Sequence, residues 1–115
     1  MEIKEIGTDD SYTHLALIGR LDVVGVGDVE NKFIGYTVSR KKNAVVDLAG
    51  VSFLGSMGIR LFLSSAKALD LENKKLILVN PKPLVQEVLE TSGITNLIAL
   101  EDNTEAAILK AKESA

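Results

Sequence analysis

Residues 14–21 predict a β-strand, in which successive side chains point to opposite faces and Ala16 and Ile18 share one of them. Leu15, Leu17 and Leu21 would lie together on the other face of that strand. A short strand at residues 3–6 is expected to pair with it as a hairpin across the polar turn at residues 7–11. The chain is therefore expected to begin with two antiparallel strands.

The apolar residues change to a helical period directly after residue 22. Val26, Val29, Phe33 and Thr37 recur at intervals of three and four residues, which predicts an amphipathic helix. The strand at residues 14–21 is thus expected to lead into a helix.

The remainder of the chain alternates short, continuous apolar runs with amphipathic segments, a pattern typical of buried parallel strands joined by helices. The predicted strands are residues 44–48, 76–79 and 97–100. The predicted helices are one that begins at Ser56, one over residues 84–91 and one over residues 104–111. The helix that begins at Ser56 has an apolar stripe of five residues: Ile59, Phe62, Leu63, Ala66 and Leu69.

This order of elements predicts an α/β fold with a mostly parallel central sheet of four or five strands and helices packed mainly on one face. In such sheets, functional loops gather at the carboxyl ends of the parallel strands. Two loops rich in glycine and apolar residues, 22–27 and 50–58, are expected there. Their apolar side chains would either form a surface for a partner protein or pack inward. These side chains are Val23, Val24, Leu54 and Met57.

The composition excludes several classes of site. The chain has 115 residues, 46% hydrophobic and 25% charged, which predicts a single domain over residues 1–115. With no cysteine and one histidine, it offers no disulfide and no usual zinc site, and neither a metal nor a cofactor is expected.

The charge and the hydropathy pattern also limit the expected cellular location and the expected classes of binding partner. The net charge is -3, and the densest basic cluster, residues 40–42, is expected to be a solvated loop. No apolar run approaches the roughly 20 residues that span a bilayer, and residues 1–4 do not open a signal peptide. We therefore expect a cytoplasmic protein that binds neither nucleic acid nor membrane.

Two catalytic interpretations of the loops fail on residue spacing. A nucleophile elbow would place a serine where Ser56 falls, but Leu54 occupies the position of its first glycine. His14 is the only imidazole that could act as the base. A receiver domain would need Asp47 as phosphoacceptor beside an acidic pair, but residues 9–10 fall in the predicted hairpin turn. The chain is therefore predicted not to be an enzyme.

A dinucleotide site is matched in part. Gly25 and Gly27 follow a strand and open a helix, and Asp47 ends the next strand about 20 residues further on. Glu30 replaces the third glycine and would bring a carboxylate near the expected pyrophosphate. Nucleotide binding is therefore less favoured than a protein-binding function.

One longer stretch, residues 46–59, resembles the signature of STAS domains, and specifically of bacterial anti-sigma-factor antagonists. In that family a strand ending in Asp-Leu leads through a short loop to Asp-Ser-Ser/Thr-Gly at the start of a helix. Residues 19–22, Gly-Arg-Leu-Asp, resemble the family's Gly-x-Leu/Ile-Asp, and residues 92–94, Ser-Gly-Ile, resemble its late Ser-Gly-Leu. With the matching order of elements, the resemblance covers nearly the whole chain.

The resemblance implies a phosphorylation-switched binding module. It implies that Ser56 is the phosphoacceptor and that an anti-sigma factor, itself an ATP-dependent serine kinase, is the partner. It also implies that a serine phosphatase reverses the step and that binding releases a sigma factor. The partner-binding residues are expected to be Asp22, Val23, Val24, Leu54, Gly55, Met57, Gly58 and Arg60.

Two residues depart from the family pattern. Gly55 replaces the aspartate before the serine, and Met57 replaces the serine or threonine that follows it. These departures favour a second function, in which the chain is an unphosphorylated STAS subunit of a larger signalling or scaffold assembly. In that case Ser56 would be a helix N-cap only, and Asp22 would only bind loop amides.

Overall fold

The computed structural model describes residues 1–113 and arranges them in one five-stranded sheet with four α-helices. The strands are β1 (Glu2–Thr8), β2 (Tyr12–Leu21), β3 (Asn43–Leu54), β4 (Leu76–Val79) and β5 (Ala99–Glu101). The helices are α1 (Val23–Tyr36), α2 (Ser56–Asp70), α3 (Pro83–Thr91) and α4 (Thr104–Glu113). A short 3-10 helix, Ile94–Asn96, precedes β5. None of the described helices combines the length and the apolarity that crossing a bilayer requires.

The sheet is mostly parallel, as predicted. Its strand order is β1-β2-β3-β4-β5, with β1 antiparallel to β2 and every other pair parallel. In the centre of the sheet Val46 lies between Leu15 of β2 and Leu78 of β4, and all three side chains are buried. The strand at residues 14–21 is confirmed as β2, although it begins two residues earlier.

Three helices cover one face of the sheet and the fourth covers the other, which confirms the prediction of helices mainly on one face. The larger core contains apolar residues of α1, α2 and α3, and within it the rings of Phe33 and Phe62 lie 5.9 Å apart. A smaller core on the opposite face joins Ala107 and Ala111 of α4 to Val45 and Ile77. Residues 44–46 of β3 and all of β4 are therefore covered on both faces, and these stretches are continuously apolar for that reason.

The predicted third strand was too short. β3 continues from Asn43 to Leu54, because β2 continues beside it and the two pair in parallel as far as Leu21 and Leu54. Two register shifts within this pair interrupt the regular pattern that would reveal a strand in the sequence. Residues 50–54 of the predicted loop 50–58 are thus strand.

The buried face of α2 is also rotated from the prediction. Phe62 and Leu69 are fully buried as expected, but Leu61 and Ser65 are buried as well. The other three predicted positions, Ile59, Leu63 and Ala66, are only partly buried. At the other end of the chain, the last strand lies at Ala99–Glu101 rather than at residues 97–100.

Candidate functional site

The site forms where β2 and β3 end side by side. Leu21 and Leu54 are paired at the ends of these strands, so the residues that follow each strand meet at one edge of the sheet. The Gly55 amide donates a hydrogen bond to the Leu21 carbonyl at 3.0 Å. The N-termini of α1 and α2 therefore lie next to each other, and we call the exposed residues around them the Ser56 surface.

Ser56 is exposed and is the first residue of α2. The predicted N-cap role of Ser56 is wrong, because Gly55 takes that position with extended backbone, φ -106° and ψ -175°. Glycine has no side chain to bind the first-turn amides, and no side chain caps this helix among the described residues. The hydroxyl of Ser56 is thus available at the surface beside uncapped backbone N–H groups.

Asp22 is the N-cap of α1. Its Oδ1 accepts a hydrogen bond from the Gly25 amide at 2.8 Å, and its Oδ2 lies 3.3 Å from Nε of Arg20. The hydrogen bond from Gly25, with the smaller contribution of Arg20, holds the pKa of the Asp22 carboxyl below its usual value. Asp22 is therefore an ionised, structurally engaged carboxylate at the edge of the Ser56 surface.

Arg20 and Phe53 complete this surface, although neither was predicted as a site residue. They are paired residues of β2 and β3, and the Arg20 guanidinium lies 4.4 Å from the centre of the Phe53 ring. The ring packs over Gly55, where an added Cβ would lie 3.1 Å from Cε2 of Phe53. Gly55 therefore leaves room for an aromatic ring close to the position of the family's aspartate.

The exposed residues form an apolar surface around Ser56. Val23 and Val24 are 70% and 73% exposed, and Phe53 is 38% exposed. Arg60 is exposed one helical turn after Ser56, and Met57 is half-buried. A cleft of about 310 Å³ is lined by Asp22, Val23, Phe53, Gly55, Ser56 and Met57. Single exposed apolar residues are ordinary, but a cluster of this kind at a loop edge is typical of an interaction site.

Two of the predicted partner-binding residues lie inside the protein instead. Leu54 is 4% exposed and belongs to the larger core, and Gly58 is buried. A Cβ at Gly58 would lie 2.6 Å from Cδ1 of Leu54 and 3.0 Å from Cβ of Leu21. Both residues therefore hold the first turn of α2 against the ends of β2 and β3, and neither residue is exposed at the Ser56 surface.

The residues of the hydrolase and dinucleotide sites considered above are not brought together. His14 is 8% exposed near the start of β2, seven residues from its end, so it lies roughly 23 Å from the Ser56 surface. Burial lowers the pKa of His14, which keeps the ring neutral. The Gly25 amide that a dinucleotide phosphate would need is bonded to Asp22.

The acidic residues that a receiver domain would need do not form a cluster either. Asp9 caps the hairpin turn by accepting hydrogen bonds from the amides of Ser11 and Tyr12, before β2 begins. Asp47 accepts a hydrogen bond from the Ala49 amide at 2.9 Å within β3. Within residues 1–113, no group of three histidine or acidic side chains is arranged to hold a metal ion.

Comparison with known proteins identifies the group to which these features belong. The family model of the STAS domain matches residues 3–107. The anti-sigma-B factor antagonist of Staphylococcus aureus is 27% identical over 101 residues, which cover 88% of this chain and 94% of that protein. Its counterpart in Staphylococcus epidermidis is 28% identical over 105 residues, covering 91% and 96%.

Among solved structures, the anti-sigma factor antagonist SpoIIAA in its unphosphorylated form superimposes with a TM-score of 0.78 at 21% identity, covering 99% of this chain and 98% of that one. The phosphorylated form of SpoIIAA from Bacillus superimposes with a TM-score of 0.70, covering 95% and 97%. The overall fold described above is thus shared with proteins that cover its full length.

Proposed function

Since this chain belongs to the STAS domain family, we propose that it is an anti-sigma factor antagonist. It would act in the cytoplasm by binding an anti-sigma factor through the Ser56 surface, so that the sigma factor held by that protein is released. The observation that carries the proposal is an exposed serine at the first position of α2, surrounded by exposed apolar side chains. The relatives named anti-sigma-B factor antagonist support the same function.

The anti-sigma factor would also be the kinase that regulates this binding. In that step the Ser56 hydroxyl attacks the γ-phosphorus of ATP bound by the partner. The Oγ–P bond forms, the bond to the β-phosphate oxygen breaks, ADP leaves and the hydroxyl loses its proton. A serine phosphatase would restore the hydroxyl by hydrolysis. The exposure of Ser56 supports this assignment, because a kinase must reach Oγ without unfolding α2.

A second candidate function is that of an unphosphorylated STAS subunit in a larger assembly. The observation that favours it is the sequence around Ser56, where Gly55 and Met57 replace residues of the family motif. The Phe53 ring packs against Gly55, and the carboxylate of the family motif is absent at that position. The Ser56 surface would then bind its partner constitutively.

Intact-protein mass spectrometry after incubation with ATP and the cognate anti-sigma factor separates the two functions. The parent protein is expected to gain the mass of one phosphate, and Ser56→Ala is expected to gain none. Ser52→Ala is the matched control, because Ser52 is the neighbouring exposed serine of the same segment and should not affect the reaction. An unmodified parent protein, in the presence of a kinase that is active on another substrate, would favour the second function.

A further inference from the structure

Two exposed arginines, one on β2 and one on α2, are connected to the position of Ser56 by packing and by helical spacing. Arg20 belongs to the end of β2, and its side chain is 60% exposed. Its guanidinium lies over Phe53, whose ring in turn contacts Gly55, the residue before Ser56. Arg20 is therefore linked to the residue before Ser56 through the Phe53 ring.

Arg60 belongs to the same helix as Ser56. It follows Ser56 by four residues in α2, and side chains with this spacing are neighbours on a helix surface. Both residues are exposed, and none of the ion pairs formed within residues 1–113 includes Arg60. Its guanidinium is thus not committed to a carboxylate in the unmodified protein.

Resting on the proposed phosphorylation of Ser56, we propose that Arg20 and Arg60 bind the phosphate group on this serine. A phosphoserine carries about -1.5 to -2 charges near neutral pH, and the guanidinium fork matches its oxygens in geometry and charge. The phosphate would stand near the ionised carboxylate of Asp22, so neutralisation by two cations favours the modified state. Arg20 can exchange Asp22 for the phosphate while Asp22 keeps its hydrogen bond to Gly25.

The glycine at position 55 favours binding of the phosphate by the two arginines. A carboxylate before the serine would compete with the phosphate for the same guanidinium groups. With Gly55 that competitor is absent, and the Phe53 ring instead supports Arg20 from below. The switch would then act by sequestration, because two cations bound to the phosphate would no longer be available to acidic groups of a partner.

Phosphorus NMR of the full chain carrying phosphoserine at position 56 tests this proposal. The phosphoserine is inserted during translation, so the test does not depend on a kinase. Because nearby cations favour the dianion, Arg20→Gln and Arg60→Gln are each expected to move the titration midpoint of the phosphate upward by roughly half a pH unit. Arg20→Lys should restore part of the shift, and Lys67→Gln, at the far end of α2, is the matched control.

The result of this NMR titration does not depend on the results of the kinase and binding experiments. If the midpoint in the Arg20→Gln/Arg60→Gln double variant equals that of the parent, the phosphate does not bind the arginines and the proposal is overturned, whether or not a kinase modifies Ser56. The amide spectrum of each variant checks the fold. If Arg20→Gln alters that spectrum, Arg60→Gln decides alone, because Arg60 is exposed and unpaired within residues 1–113. A shift that vanishes at about 1 M salt would support direct ion pairing.

Discussion

Gly58 allows the first turn of α2 to approach the ends of two strands. We predict that Gly58→Ala costs about 1–3 kcal/mol in the free energy of unfolding, because the added methyl group would overlap Leu54 and Leu21. Gly27→Ala is the matched control, since a Cβ at Gly27 meets nothing within 4 Å and the residue lies inside α1. This second change should stabilise the protein by about 0.4–1 kcal/mol.

Chemical denaturation of the two variants measures both effects. Opposite signs are the expected result. If Gly58→Ala were as stable as Gly27→Ala, the close approach of α2 to β2 and β3 would be contradicted.

Asp22 links the Ser56 surface to the stability of α1, and its contribution should depend on pH. The folded-state pKa of Asp22 is lowered, so its stabilising effect is present above the unfolded-state pKa and is lost as the pH falls through the folded value. We predict that Asp22→Ala lowers the denaturation midpoint at pH 7, and that the difference from the parent narrows below about pH 4.

Two further variants identify the cause of this effect. Asp22→Asn keeps a hydrogen-bond acceptor for the Gly25 amide and should retain much of the stability at every pH. Glu30→Ala removes an exposed carboxylate from the same helix and should not reproduce the pH dependence. A constant difference between the parent and Asp22→Ala from pH 7 to pH 2 would contradict the assigned role of the charge.

At the scale of elements, α2 provides a direct test of which face is buried. Phe62 is fully buried against Phe33, whereas its neighbour Leu63 is only partly buried. We predict that Phe62→Ala costs about 3–5 kcal/mol and Leu63→Ala about 1–2 kcal/mol. Urea denaturation of both variants measures the two values, and equal costs would show that the face is rotated from the one described.

The elements themselves were largely predictable because their apolar periods are regular. Residues 76–79 are bounded by polar residues, and residues 84–91 begin after a proline, so both were predicted to within one residue. The extension of β3 was not predictable, since it depends on pairing with β2 across two register shifts. The role of Asn43 was equally hidden, because its buried side chain bonds to Lys75 and Ala111, far away in sequence.

Only those residues of the candidate site that belong to local sequence motifs could be predicted. The positions of Ser56 and Asp22 after two strands followed from the element order, and the structure places them along one cleft. The inward direction of Leu54 could not be read from its loop-like surroundings. Arg20 and Phe53 were missed because their contact exists only through strand pairing, between residues 33 positions apart.

In the whole molecule, the Ser56 surface and the hydrophobic core are formed by different residues. Ser56, Val23 and Val24 are exposed, and the larger core lies beneath them between the sheet and α1, α2 and α3. A phosphate on Ser56 would stand in solvent at a helix N-terminus, where backbone N–H groups and the helix dipole favour an anion. Phosphorylation is therefore expected to leave the fold intact and to act on the interface.

Calorimetric titration of the cognate anti-sigma factor tests the central claim most directly. Ser56→Ala should bind as tightly as the parent, and Ser56→Asp about a hundredfold more weakly, since a loss of about 3 kcal/mol at an interface corresponds to that factor. Ser39→Asp adds the same charge to an exposed serine beyond the other end of α1 and should bind like the parent. Circular dichroism confirms that each variant is folded. Equal affinities for the parent, Ser56→Ala and Ser56→Asp would contradict the role of Ser56 as the switch.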